Sequence, residues 1–334
     1  MLTLGIESSC DDTAAAVLQN ETTLLSSVLT SQDQIHTRFG GVVPELASRN
    51  HLESIVPVIN EALALAKVTL DDIDLIAVTQ GPGLIGSLLV GFSYAKAISY
   101  ASNIPCVGVD HMAGHILSVF LEKETPAFPF IALVVSGGTS SIYLAKSFTD
   151  FKLLGRTRDD AAGEAFDKVA KLLGFSYPGG PIVFKEAQSG SNDSIAFPRS
   201  WLEKNSLDFS FSGLKTAVLN HCNREKQKNN PLNRQDICAS FQEAVVDVLV
   251  GKTILAAKLH KIDTVVMGGG VSSNPRLRDV MKERCGQEKI QLFTPKPVHC
   301  TDNGAMIALA GVHSYKKNSD FTYDQDVYCR SLLA

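Results

Sequence analysis

The sequence reads as an α/β protein built from one unit written twice, and three observations carry that reading. Short apolar runs of strand length alternate with longer stretches of helical periodicity. Most of the apolar runs end in a turn rich in Gly, Ser or Asp. The order of these elements in the first half then recurs in the second. At 334 residues the chain is long enough for two domains, each burying its own core.

The first half opens with an apolar run at 2–7 that ends in the turn Ser8-Ser9-Cys10-Asp11-Asp12, followed by strand-like runs at 13–18 and 22–29. Leu52, Ile55, Val56, Ile59 and Leu63 recur near helical spacing, which predicts a helix over about 44–67. A strand at 74–79 runs into Gly81-Pro82-Gly83 and a long helix through 91–100; a strand at 106–109 runs into a helix carrying His111 and His115. The second half begins again with a run at 130–135, the turn Ser136-Gly137-Gly138-Thr139, and runs at 141–145 and 151–154. After an inserted stretch at about 156–235, a helix is expected over 241–260 and a strand at 264–267 ending in Gly268-Gly269-Gly270. The next helix starts at Asn274-Pro275, with Pro suited to a first turn. A strand at 291–294 leads through Thr301-Asp302-Asn303-Gly304 into a last apolar helix at 305–315.

Both halves therefore follow β-β-β-α-β-α-β-α, hairpins first and right-handed crossovers afterwards. That repeated order resembles the actin/hexokinase/Hsp70-type fold. The resemblance implies two lobes, 1–125 and 126–334, around a central ligand cleft, with phosphates held by the turns after the first strands. A run of unrelated α/β units is the alternative.

Composition narrows the function classes. Hydrophobic content of 45% with 20% charged residues is that of a globular chain. The first residues lack a basic region and cleavage site, which argues against a secretory signal. The longest apolar segment, 84–98, contains Lys96 and is too short to span a bilayer, so no membrane association is expected. Seven cysteines lie singly with no C-x-x-C, as expected of reduced thiols in the cytoplasm. A net charge of −4 argues against non-specific coating of nucleic acid but leaves room for a local basic face.

His111 and His115 stand one helical turn apart on the same face, where two neutral imidazoles can grip one transition metal. The zinc-protease pattern H-E-x-x-H has this spacing but needs a Glu as general base, and Met112 occupies that place. An ordinary helix face gives the same spacing without a metal. The duplicated order places Asp302 before the helix equivalent to the one carrying the histidines, as a third ligand offered from the opposite half. Its other reading is a helix N-cap. A His/His/Asp set suits iron(II) or zinc.

Ser136-Gly137-Gly138-Thr139 and the stretch 268–274 let backbone N–H groups approach an anion, though the first also reads as a plain hairpin turn. Neither is a P-loop or a Rossmann G-x-G-x-x-G. Asp160, Glu164 and Asp167 fall roughly on one helix face, as a solvated acidic stripe or as contacts to ligand hydroxyls or amines. Asp11 is either a turn residue or a group that orients water, metal or a reacting amine.

Taken together these stretches resemble the tRNA adenosine threonylcarbamoyltransferases, known as TsaD in bacteria and formerly described as O-sialoglycoprotein endopeptidases. The matching strings run from Gly5-Ile6-Glu7-Ser8-Ser9-Cys10-Asp11-Asp12-Thr13, through Gly40-Gly41-Val42-Val43-Pro44-Glu45, Asp208-Phe209-Ser210-Phe211-Ser212-Gly213 and the residues above, to Asp302-Asn303-Gly304-Ala305-Met306. The resemblance implies transfer of the threonylcarbamoyl group from threonylcarbamoyl-AMP to N6 of adenosine 37 in tRNAs reading codons that begin with A. It implies that His111, His115 and Asp302 bind a divalent metal, iron(II) first and zinc second. It further implies that Val134, Val135, Ser136, Gly137, Gly138, Asp167, Gly180 and Asn274 line the adenylate site, with Asp11 the candidate for positioning the amine or relaying its proton. Phe184 stands where many members have an acidic residue, Asp110 where Asn is commoner, and Val134 where archaeal-type members have a tyrosine. Implied partners are tRNA, a catalytically inert TsaB-like paralogue and a TsaE-like ATPase. The helices at 35–59 and 84–101 are candidates for the protein interface, and 224–234, with four basic side chains, for tRNA phosphates. A small-molecule kinase or ATPase of the same fold, a metalloprotease and a non-catalytic scaffold are the competing classes.

Overall fold

Two five-stranded sheets of one topology organise the chain in the computed structural model, which describes residues 1–201, 203 and 205–333. In the first sheet β1 (Leu2–Glu7), β2 (Thr13–Gln19) and β3 (Thr23–Thr30) form an antiparallel meander. β4 (Leu75–Gly81) then pairs parallel with β1, and β5 (Cys106–Asp110) parallel with β4, giving the order β3-β2-β1-β4-β5. The helices of this region are α1 (Asp33–His36), α2 (Pro44–Ala66), α3 (Ile85–Ser102) and α4 (His111–Leu117). The second sheet contains β6 (Phe130–Val135), β7 (Ser140–Ser147), β8 (Asp150–Arg156), β9 (Thr264–Gly268) and β10 (Gln291–Phe293), in the order β8-β7-β6-β9-β10. That is the first sheet's order repeated, strand for strand. Helices α5 (Ala162–Leu172), α6 (Gly179–Ala187), α7 (Ser212–Gln227), α8 (Arg234–His260) and α9 (Pro275–Gln287) follow the hairpin strands or the crossover, and α10 (Pro297–Cys300) and α11 (Gly304–Lys317) close the chain.

The chain divides into two units: Met1–Phe128 with Ala145–Lys152 and Pro295–Ala334, and Pro129–Leu144 with Leu153–Thr294. The segment after residue 295 therefore groups with the first sheet, although the repeat placed it in the second half. The reason is packing. In β1, Leu4 and Ile6 face the core shared with Ile55, Val58 and Ile59 of α2 and Phe92 and Ala95 of α3. Gly5 points the other way, because successive strand residues alternate faces. A Cβ on Gly5 would overlap the Gly304 carbonyl and Ala308, and one on Gly304 would overlap the backbone of Ala15 and Ala16. These positions let α11 lie directly on β1 and β2, where Ala308, Leu309 and Ala310 join Leu18 and Ala77 in a second apolar cluster. Glu7 shares the face of Gly5, so the strand's one carboxylate points to the side that α11 covers.

The second unit's core joins Ile131, Leu133 and Val135 of β6 to Phe166 of α5 and Phe241, Val245 and Leu249 of α8. Helix α8 begins at Arg234, a full two turns before the expected start at 241. Asn233 caps it, accepting from Asp236 N at 3.2 Å, and Ile237 and Cys238 already lie in the core. Among the described residues no helix is long and apolar enough to cross a membrane. Among the described residues the cysteines form no disulfide.

Candidate active site

In the first unit β5 passes into α4 without a loop, which sets His111 at the helix's first position and His115 one turn later. The rings lie 4.5 Å apart, centroid to centroid. Asp302 approaches from the residue before the α11 cap: its Oδ1 is 3.4 Å from His111 Nε2 and 3.2 Å from His115 Nε2. One ligand atom from each of the three residues lies within 4.8 Å of the others, so the cluster could hold a metal ion. Asp302 is not the helix cap; Asn303 is, accepting from Met306 N at 2.9 Å, which leaves the Asp302 carboxylate to the imidazoles. The repeat suggested a carboxylate offered from the opposite half. Instead all three groups belong to one unit, because α11 is packed on the first sheet.

The donor set fits a divalent transition metal. His115 is fully buried, yet neither ring nitrogen has a hydrogen bond. Asp302 Oδ1 faces Nε2 at 3.2 Å without the geometry of a hydrogen bond, and a metal held by both groups would satisfy imidazole and carboxylate together. His111 is arranged for ligation by its surroundings. Glu7, with no solvent exposure, has Oε2 at 2.9 Å from His111 Nδ1, and Ser9 Oγ lies 3.3 Å from the same nitrogen. Thr79 Oγ1 donates to Glu7 Oε2 at 2.6 Å, and Ser9 N donates to Oε1 at 2.5 Å. With Nδ1 held by a carboxylate, Nε2 is the nitrogen turned to Asp302, the orientation that outer carboxylates impose on metal-binding histidines.

Electrostatics follow from this packing. Burial disfavours protonated His111, but the Glu7 and Asp302 carboxylates outweigh it and hold the imidazole's pKa well above its ordinary value. Burial also opposes ionised Glu7 and Asp302, and here the imidazoles outweigh it, keeping both carboxyls below the usual range. His115 is pushed down by burial and by the neighbouring His111.

The turn between β1 and β2 carries Asp11 and Asp12. His51 of α2 clamps it: Nε2 donates to the Cys10 carbonyl at 3.0 Å, and Nδ1 accepts from Thr13 Oγ1 at 2.7 Å. Burial, then the charge of Asp302, raises Asp11. The same causes, with Asp11 added, push Asp12 up to about 7. Sequence reasoning singled out Asp11. It missed Asp12, His51 and the role of Glu7, whose only local signal is a carboxylate in an otherwise apolar strand.

The second unit brings the proposed adenylate-lining residues into one chain of contacts. Val134 pairs with Gly268, so the ends of β6 and β9 are adjacent. Val134 and Val135 are fully buried, main chain included. At φ +85° Gly269 brings its Cα against the Val135 carbonyl, where a Cβ would clash. Helix α5 starts on the turn, with Gly163 N and Glu164 N donating to the carbonyls of Ser136 and Gly137 at 3.2 and 3.0 Å. Asp167, further along α5, accepts from Gly179 N at 2.7 Å and so holds the start of α6, where Gly180 lies. Asn274 caps α9, accepting from Leu277 N at 3.1 Å while its amide donates to Gln242 at 2.9 Å. A Cβ on Gly137, Gly138 or Gly180 would meet nothing within 4 Å, so protein packing does not require these glycines. The acidic stripe is paired in part: Lys168 bridges Asp160 and Glu164 at 2.8 Å each.

Fold and site thus define a class: a duplicated α/β protein of the actin/hexokinase type with a His/His/carboxylate cluster in its first unit. Two solved structures share the fold alone. Component A of the Acidaminococcus fermentans (R)-2-hydroxyglutaryl-CoA dehydratase matches with a TM-score of 0.55 at 16% identity, over 96% of this chain and 100% of that one. HypF of T. kodakarensis matches with a TM-score of 0.63 at 16% identity, over 95% of this chain and 48% of that one. The family follows from sequence. The family model described as TsaD, tRNA N6-adenosine threonylcarbamoyltransferase, matches residues 23–309. The tRNA N6-adenosine threonylcarbamoyltransferase of Desulfotalea psychrophila is 62% identical over 100% of this chain and 98% of its own. The chain belongs to the tRNA N6-adenosine threonylcarbamoyltransferase family.

Proposed function

We propose that this protein transfers a threonylcarbamoyl group from threonylcarbamoyl-AMP to N6 of adenosine 37 in tRNAs that read codons beginning with A, forming t6A37. The observation that carries the reading is the His111/His115/Asp302 cluster, backed by buried Glu7, in a chain of this family. In the reaction the bond between the carbamoyl carbon and the phosphate oxygen breaks, a bond from N6 to that carbon forms, AMP leaves, and N6 gives up a proton.

His111, His115 and Asp302 are the residues that would hold the metal, iron(II) in our reading and zinc as the second choice. When bound, such an ion supplies Lewis-acid polarisation of donor oxygens, worth roughly several kcal/mol. Glu7 and Ser9 orient His111. Val134, Val135, Ser136, Gly137, Gly138, Asp167, Gly180 and Asn274 are read as lining the adenylate, with the open faces of Gly137, Gly138 and Gly180 as support. Asp11 is the candidate for positioning the amine. Asp12, next to it in the same turn and likewise raised by burial, is read as its companion there.

The exposed apolar side chains of α2 and α3 support docking of the inert paralogue. Leu52 and Val56 sit one turn apart on α2, Ile85 and Leu89 one turn apart on α3, and all are more than 40% exposed. Apolar patches of this kind mark protein interfaces. The TsaE-like ATPase is read as the further partner. Arg224, Lys226, Lys228 and Arg234 are read as tRNA phosphate contacts. The cytoplasm, where tRNA is modified, is the assigned location. We further read 1–125 and 126–334 as the two copies of one ancestral unit, with 156–235 inserted in the second; the identical strand orders support this.

Reconstitution with tRNA, threonylcarbamoyl-AMP and both partners, followed by mass analysis of the digested nucleosides, tests the reading. Wild type should form t6A. No product with verified partners overturns the assignment, and ATP turnover without tRNA would replace it with the kinase-like class.

A further inference from the structure

After α11 the chain turns back as an extended strap over the first unit, and its anchors lead stepwise to the metal cluster. Phe321 packs edge-on against Phe92 with centroids 6.4 Å apart, and Tyr323 OH pairs with Ser99 Oγ at 3.0 Å. Lys96 Nζ donates to the Gln325 carbonyl. Gln80 Nε2 donates to the Asp326 carbonyl at 2.8 Å, and Tyr328 N donates to the Gln80 carbonyl at 3.1 Å. The strap then ends on one side chain. Tyr328 OH, Ser331 Oγ and Leu332 N all donate to Asp110 Oδ2, at 3.1, 2.9 and 3.1 Å.

Asp110 is the residue immediately before His111. Its other oxygen, Oδ1, accepts from Met112 N at 2.9 Å and forms the N-cap of α4. One carboxylate is therefore divided between the strap and the helix that carries both histidines. Helix α4 has only seven residues, so its direction depends strongly on how its first turn is held. Three charge-assisted bonds on Oδ2 keep the carboxylate from rotating and thereby keep Oδ1 aimed at the helix. A metal site loses affinity when its ligands are free to stray by about 0.5 Å.

We propose that Asp110 is a positioning residue that couples the C-terminal strap to the metal-ligand helix, so that the strap's grip sets the affinity of the His111/His115/Asp302 site. The coupling rests on the metal reading above, and the test separates the two. Cobalt(II) is titrated into the full-length metal-free chain and followed by visible absorption, with thermal unfolding measured alongside. The variants are Tyr328→Phe/Ser331→Ala, which removes two strap donors, and Asp110→Asn, which keeps a cap acceptor but puts an amide where Leu332 N–H needs an oxygen. Each should weaken cobalt binding about tenfold, the low end of what losing an outer-sphere partner costs. Combined, they should lose little more than either alone, because both cut one connection. Wild-type affinity in the folded variants, whatever their melting temperature, overturns the coupling, as do fully additive losses. If wild type shows no cobalt site that His111→Ala/His115→Ala abolishes, the metal reading falls and takes the coupling with it.

Discussion

The two units share a strand order and differ in what stands at the ends of equivalent strands. β1 and β6 are each six residues long and open their sheets' hairpins, but β1 ends in Glu7 and β6 in Val135. The turn after β1 carries Asp11 and Asp12 and is clamped by His51; the turn after β6 is Ser136-Gly137-Gly138-Thr139, held by the start of α5. β5 leads directly into imidazoles backed by a carboxylate, whereas in the second unit β9 leads to three glycines and a capped helix. The scaffold fixes where chain ends converge, and the side chains there set the chemistry. Ionisable groups in the first unit form a cluster that could hold a cation; side-chain-free backbone in the second leaves room for an anion.

The contrast breaks most completely if the first unit needs no metal. His111→Ala/His115→Ala should abolish cobalt binding and lower t6A formation by about a hundredfold or more, since several kcal/mol of Lewis-acid assistance is lost and each ~1.4 kcal/mol is tenfold. Nucleoside mass analysis reads the outcome, and undiminished product from the double variant would remove the first unit's assigned role.

Glu7→Gln is the next largest step. It should weaken cobalt affinity by about ten- to a hundredfold while leaving the three ligands in place. The pH profile supplies a second readout. Glu7 and Asp302 raise the His111 pKa, so in the wild type the metal competes with a proton that leaves only as pH rises through that elevated value. Affinity should therefore climb with pH across that window. Without the Glu7 charge the His111 pKa falls, and the climb should shift to lower pH. A profile that stays put would show that Glu7 does not govern His111.

Much of the contrast is legible in the sequence, and what escapes it does so for physical reasons. Strand periodicity places β1 and β6 to the residue, the order of elements puts a helix directly after β5, and the i, i+4 spacing marks the histidines. Asp302 is found through the repeat but assigned to the wrong unit, because periodicity cannot tell which sheet a terminal apolar helix covers. Glycines at 5 and 304 decide that, and only in three dimensions. Glu7 meets His111 across more than a hundred residues of chain, so no local pattern reveals the pairing. Asp12 becomes distinctive through burial beside Asp302, and the strap acquires meaning only through its end on Asp110.

Glycines sharpen the comparison from the second unit. Gly269→Ala combines a left-handed φ with a clash against the Val135 carbonyl and should cost about 1–3 kcal/mol of stability, seen as a lower midpoint of unfolding. Gly137→Ala should leave stability within about 0.5 kcal/mol, since its Cβ meets nothing. If the turn cradles the adenylate, the same variant should nevertheless weaken binding of a non-hydrolysable donor analogue several-fold, by placing a methyl where the ligand belongs. Unchanged analogue affinity in Gly137→Ala would make the turn a hairpin and nothing more.

The smallest effect separates two asparagines with the same local task. Asn303 and Asn274 each cap a helix, α11 in the first unit and α9 in the second, through a side-chain oxygen on the third backbone N–H. Replacing either with Ala should cost about 1 kcal/mol, and Asp at either position should restore most of it, because Asp caps as well as Asn. Their functional consequences should diverge. Asn303 frees the neighbouring Asp302 from capping, and its amide donates to the Thr301 carbonyl at 2.7 Å; since neither bond involves a ligand atom, Asn303→Ala should leave cobalt affinity nearly intact in the folded protein. Asn274 is read as lining the adenylate as well, with its amide nitrogen already directed at Gln242. Asn274→Asp should therefore regain stability but not donor-analogue affinity, because a carboxylate restores the cap acceptor while losing the amide donor and setting a negative charge beside a phosphate. Full recovery of both properties in Asn274→Asp would reduce Asn274 to the same structural role as Asn303, and would move the adenylate away from the start of α9.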